Sequence, residues 1–150
     1  MKKTFLTTLL LLSISLTLFG QANRITGFWL TEDGDSQVEV YQKADGKFYG
    51  RVVWLEEPLN DDGKPKVDDQ NPDMAMHDTP IIGLEILEGF SYNASKDEWA
   101  GGTIYDPKNG RTYTAYMRLE DNTLRLRGFV YGMRFLGRSS YWTRERGLRE

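Results

Sequence analysis

The sequence has no cysteine and only one histidine, His77, in 150 residues. The first absence excludes disulfides, thiolate metal ligands and a cysteine nucleophile. The second excludes a multi-histidine metal site within one chain. Proline is scarce, with five residues in all, and four of them (Pro58, Pro65, Pro72 and Pro80) fall in one stretch. No window has the apolar spacing of an amphipathic helix, and no internal repeat is evident. Hydrophobic residues are 39% and charged residues 27% of the chain. That balance excludes a polytopic membrane protein and a disordered chain, and the length fits one ordinary domain. Glycine is abundant at 15 residues and aromatics reach 13%. This mixture favours strands and tight turns.

The N-terminus has the three-part layout of a secretory leader. Lys2 and Lys3 are followed by an apolar stretch from Phe5 to Phe19, interrupted only by Thr and Ser, and then by Gly20, Gln21 and Ala22. The apolar run is short for a membrane span of ~20 residues. A signal peptide over 1–20 is expected, with cleavage after Gly20 or after Ala22. The mature protein is then exported, to the periplasm or beyond, and does not span a membrane. Loss of Lys2 and Lys3 takes the net charge from −3 to −5. An acidic domain of this kind is not built for nucleic acid.

Alternation of apolar and polar residues dominates the remainder. Eight strands are expected at 27–31, 36–43, 47–55, 81–90, 98–105, 111–119, 123–131 and 134–143. Turn chemistry separates them: Asp33-Gly34, Asp45-Gly46, Asp106-Pro107-Lys108-Asn109-Gly110 and Asp121-Asn122. Short links between successive strands mean antiparallel neighbours. The expected fold is all-β, an antiparallel up-and-down barrel of about eight strands, which leaves no open sheet edge. One link differs. Residues 56–80 hold eight carboxylates against Lys64 and Lys66. A loop of this length is usually a functional lid or a mobile insertion. From Lys108 onward ten Lys or Arg face four acids, so the loop either lies against the basic C-terminal strands or forms a separate solvated surface.

Two groups of residues are candidate sites. Gly27-Phe28-Trp29 opens the first strand and Arg138 lies in the last, an arrangement like the lipocalin one in which an Arg covers a Trp at the closed barrel end. Trp29 and Arg138 are therefore the expected structural plug, with the guanidinium stacked on the indole. On the expected inner faces, Trp54, Tyr113 and Met117 are the candidate ligand-binding residues. Gly50, Gly102, Ala115 and Gly128 are the small residues that would leave room beside them, unless neighbouring aromatics fill the gap. Trp99, Tyr105, Tyr116, Phe129 and Tyr131 fall on the expected outer face. Aromatics there call for cover by the long loop, by a second copy of the chain or by an envelope protein.

Catalytic chemistry finds little support in the pattern. The strand carboxylates Glu39, Glu85 and Glu88 are not paired by spacing, His77 has no placed partner, and Ser139-Ser140 lacks the Gly-x-Ser-x-Gly elbow. Glu85 is the best single candidate for a base, because it lies in the apolar run from Ile81 to Leu87. The acidic loop does not match the twelve-residue calcium loop. No metal or cofactor motif is present.

The longer series is more specific. It runs through Gly27-Phe28-Trp29-Leu30-Thr31, Asp45-Gly46-Lys47-Phe48-Tyr49-Gly50-Arg51-Val52-Val53-Trp54, Asn71-Pro72-Asp73 and Gly83-Leu84-Glu85-Ile86-Leu87. It continues through Trp99-Ala100-Gly101-Gly102-Thr103-Ile104-Tyr105-Asp106-Pro107, Arg127-Gly128, Leu136-Gly137-Arg138 and Trp142-Thr143-Arg144. This series resembles the bacterial family called domain of unknown function 2147, over residues 25–144. The resemblance implies a short exported protein with one lipocalin-like β-domain, and it brings no catalytic residues. Two functions follow as expectations: an envelope protein that binds a small apolar or amphipathic ligand, or an interaction or maintenance factor with a filled barrel. A cavity of about 300 Å³ or more favours the first.

Overall fold

A computed structural model describes residues 20–130 and 132–150. The expected leader lies outside the described residues up to position 19, and so does Tyr131. Eight strands form a closed antiparallel barrel in sequence order. They are β1 (Gly27–Leu30), β2 (Ser36–Gln42), β3 (Phe48–Leu55), β4 (Glu85–Asn93), β5 (Glu98–Asp106), β6 (Arg111–Glu120), β7 (Thr123–Phe129) and β8 (Gly137–Glu145). β1 and β8 pair to close the ring, with Trp29 opposite Arg144.

The strands form where period-2 alternation is uninterrupted. On β6, Ala115 and Met117 point inward and are buried, while Arg111, Thr112 and Glu120 are exposed. Two elements begin three or more residues later than the alternation implies, and in each case a glycine turns the chain. Gly83 has φ of 96°, and its N–H donates to Val52 O at 2.7 Å. Residues 81–84 are thus spent on joining β3 to the preceding loop, and β4 starts at Glu85. Gly132 has φ of 78° and opens a turn in which Leu136 N–H donates to Met133 O. Arg134 is carried to the outer wall, and β8 starts at Gly137.

Two register shifts reverse which side chains point inward. Opposite the step between Gln37 and Val38, β3 holds an extra residue, so that Val52 faces Val38 while Trp54 faces Gln37. A second irregularity lies between Trp99 and Gly102, where Gly101 adopts φ of 79°. It turns Trp99 inward against Met117, fully buried, which corrects the expectation of Trp99 on the outer face. Tyr116 and Phe129 do lie outside, and Arg134 covers both, 4.4 Å from one ring centroid and 5.6 Å from the other.

The two barrel ends differ. At one end Gln21–Ile25 crosses the opening. Ile25 is fully buried, Trp29 Nε1–H donates to Ile25 O at 2.8 Å, and Trp99 Nε1–H donates to Ala22 O at 2.9 Å. The core of Trp29, Val38, Phe48, Leu87, Phe90, Met117 and Leu124 packs above this floor. The other end is open, and the long loop and residues 132–136 rise around it.

The long loop is built rather than irregular. Short bridges join Leu59 to Pro65 and Val67 to Pro80, and Met74–Met76 forms one 3-10 turn capped by Asp73. Asp68, fully buried, accepts hydrogen bonds from Tyr105 Oη at 2.6 Å and Asn71 Nδ2 at 2.7 Å. Burial and the Asp68 carboxylate together push the Tyr105 phenol up to about 12. His77 Nε2 lies 2.7 Å from Asn71 O and so serves this loop. The loop is held against β5, and among the described residues its one ion pair is internal, Lys66 with Glu57 at 3.4 Å.

Candidate ligand cavity

The open end leads into a cavity of about 1300 Å³. Its depth is apolar: Val52 on β3, Ile86 on β4, Ile104 on β5, Leu126 on β7 and Trp142 on β8 line it. These strands come together because alternation places one such residue inward on each of them. Polar groups in the depth are few. Ser140 is one, and it accepts from Trp142 Nε1–H at 3.0 Å, so the indole brings no unpaired donor into the cavity. Gly128 supplies room here. A Cβ on it would sit 3.5 Å from Tyr113 and 3.6 Å from Ile104, in ordinary contact. Gly50 and Gly102 do not, because their space is taken by Leu87 and Phe90 side chains within 2.7 Å of an added Cβ. Ala115 is buried in the core.

The rim is charged. Seven carboxylates line it against Lys66, Lys108 and Arg138. Asp35, between β1 and β2, accepts from Ser36 Oγ at 2.9 Å, Thr31 Oγ1 at 3.1 Å and Lys108 Nζ at 2.7 Å. Partial burial alone would raise its carboxyl, but these hydrogen bonds and the Lys108 charge outweigh it and hold the group below its usual value. Lys108 is correspondingly raised by its hydrogen bond to Asp35.

The sequence-expected site residues separate. Tyr113 lines the cavity. Met117 points inward but is fully buried in the packed half of the barrel. Trp54 is on the outside, because the extra residue in β3 inverts its direction. Arg149 from the C-terminal tail stacks on its ring at 5.0 Å, and Glu145 binds that guanidinium at 2.7 Å.

The plug is also corrected: Arg144, not Arg138, covers Trp29, with its guanidinium carbon 4.2 Å from the ring centroid. It donates to Thr26 O at 3.1 Å and to Arg24 O, and burial lowers its pKa. Arg138 and Arg144 both point inward, but they are six residues apart, about 20 Å along the strand. Pairing of β1 with β8 puts Arg144 at the closed end and Arg138 at the mouth. Leu126 shares the inward alternation of Gly128 and was readable as inward-facing from the pattern, whereas Ile86, Ile104 and Trp142 were not singled out by it.

Two of the strand carboxylates, Glu39 and Glu85, are engaged on the outer wall, and Glu88 is exposed. Glu39 pairs with Arg51 at 2.7 Å, and Glu85 pairs with Lys43 at 2.8 Å and accepts from Tyr41. Burial and the Glu85 carboxylate push Tyr41 up to about 12. Among the described residues no three His, Asp or Glu side chains converge as a metal site, and no helix is long and apolar enough to cross a membrane.

A closed eight-stranded barrel, plugged at one end by a Trp–Arg stack and open at the other into an apolar cavity, has the architecture of a lipocalin-like protein. Residues 27–144 match the bacterial family described as "Uncharacterized protein conserved in bacteria (DUF2147)", and the chain belongs to that family. Among solved structures it is similar to protein HP1028 from Helicobacter pylori, described as belonging to the lipocalin family. The TM-score is 0.69 at 23% identity, over 81% of this chain and 83% of that one. This likeness extends to the fold. No curated protein matches the sequence.

Proposed function

We propose that this protein is exported to the bacterial envelope and there holds a small apolar or amphipathic molecule inside its barrel. One observation carries the proposal: the apolar cavity of about 1300 Å³, larger than a typical small-molecule pocket of roughly 300–1,000 Å³. A filled barrel would have favoured an interaction factor. Lys2, Lys3 and the apolar run after them support export. Native mass spectrometry of protein purified from its own envelope fraction is the direct test. The expected result is a chain shortened by the leader that carries a small-molecule adduct released on denaturation. Recovery from the cytoplasm at full length would overturn the export half. A bare chain that also takes up no apolar probe would overturn the binding half.

A further inference from the structure

The cavity combines an apolar depth with a rim of net negative charge, and one of the three rim cations, Lys108, is held by carboxylates on the far side of the mouth. Lys108 lies on the turn between β5 and β6. Its Nζ is 2.7 Å from Asp35 Oδ2 and 3.7 Å from Asp33 Oδ2, on the turn between β1 and β2. In the eight-membered ring these hairpins are four strands apart, so the ammonium reaches across the mouth. Thr31 and Ser36 orient the Asp35 carboxylate independently of Lys108, which makes it a fixed acceptor. The lysine is held weakly by comparison. Its side chain is 68% exposed, and an exposed pair of this kind is screened by salt and water.

We infer that the cavity selects amphiphiles with a cationic headgroup, the apolar body lying against Ile86, Ile104, Leu126 and Trp142 and the head taking the place of the Lys108 ammonium beside Asp33 and Asp35. This rests on the ligand-binding function proposed above and adds the chemical class of the ligand. The carboxylates do not make the site; the cavity does. They set which head is tolerated at its mouth. Seven carboxylates against three cations around a concave, partly apolar opening focus a negative potential there. Arg138 and Lys66 are the groups that would favour an anion instead. Lys66 lies 3.4 Å from the exposed Glu57 carboxylate, which offsets its charge at the rim.

The test uses one tail with three heads: decyltrimethylammonium, decyl maltoside and decyl sulfate, each below its micelle concentration. Each competes with the neutral fluorophore N-phenyl-1-naphthylamine on the full chain. The trimethylammonium compound is expected to displace the probe at a concentration about tenfold lower than the sulfate, a gap that closes in high salt. Lys108→Met is expected to tighten the cationic compound roughly threefold relative to the maltoside, which reports any change in apolar contact at the mouth. Equal potency of the three heads, or preference for the sulfate, overturns the headgroup inference while the barrel remains a binder. An unchanged affinity of Lys108→Met for the cation relative to the maltoside overturns the seat beside Asp33 and Asp35. If neither the fluorophore nor any decyl compound binds, the ligand-binding function itself fails and the headgroup inference with it.

Discussion

Three arginines of β8 or its flanks face the same problem of placement, and only the pairing register solves it. Arg134 stacks outside on Tyr116, Arg138 lines the mouth, and Arg144 covers Trp29. A late arginine near a Trp was legible in the sequence. Which one was not, because an inward side chain recurs every second residue and nothing local fixes the distance to β1. Trp29→Ala is expected to cost about 3–5 kcal/mol, as truncation of a fully buried aromatic. Arg144→Ala is expected to cost about 1.5–3 kcal/mol through its lost charge-assisted hydrogen bonds. Arg138→Ala should stay within about 0.5 kcal/mol of the parent. Urea midpoints of the three variants check this. An Arg138→Ala as damaging as Arg144→Ala would put the wrong arginine on the tryptophan.

Tyrosines give an expectation for alkaline pH at the same scale. Tyr41 and Tyr105 are each pushed up to about 12, from the usual 10, by burial and a neighbouring carboxylate. Between these values the unfolded chain releases protons that the folded chain keeps. The stabilisation is therefore complete below pH 10 and lost as pH rises through about 12. Tyrosinate absorbance should show these two phenols ionising together with unfolding. A drop in stability that is finished before any tyrosine ionises would contradict the assignment.

At the scale of elements, the strands were legible and the devices that bend them were not. Alternation marks β2, β3, β5 and β6 to within one residue at each end. It cannot show the extra residue in β3 that sends Trp54 outward, nor the Gly101 kink that sends Trp99 inward. Both depend on how a neighbouring strand slides past. The long loop was recognised by its prolines and acids, but its order comes from a distant contact, Tyr105 with buried Asp68. Tyr105→Phe leaves that carboxylate one donor short, and is expected to cost about 1–3 kcal/mol and to make 56–80 the first site of proteolysis. Cleavage that starts elsewhere in this variant would show that the contact does not hold the loop. The N-terminal crossing gives a parallel expectation for export. Processing after Ala22 would remove the carbonyl that accepts from Trp99, so the intact mass of the mature protein should correspond to a chain beginning at Gln21. A chain beginning at Asn23 would exclude that contact from the mature fold.

For the whole molecule, barrel topology followed from eight short-linked strands, whereas the cavity did not follow from any pattern. Four small residues were equal candidates for leaving space. Only their neighbours separate them: Leu87 and Phe90 fill two of the gaps, Ala115 packs in the core, and Gly128 alone opens onto the cavity. That asymmetry supplies the decisive measurement. Gly128 has room for a Cβ between Tyr113 and Ile104, so Gly128→Leu should fold while projecting a side chain into the apolar depth. N-phenyl-1-naphthylamine titrated into the parent is predicted to bind saturably at one site per chain, and to bind Gly128→Leu at least tenfold more weakly, about 1.4 kcal/mol or more. Equal binding by a folded Gly128→Leu, or no saturable binding by the parent, would contradict a barrel that works by holding a molecule inside.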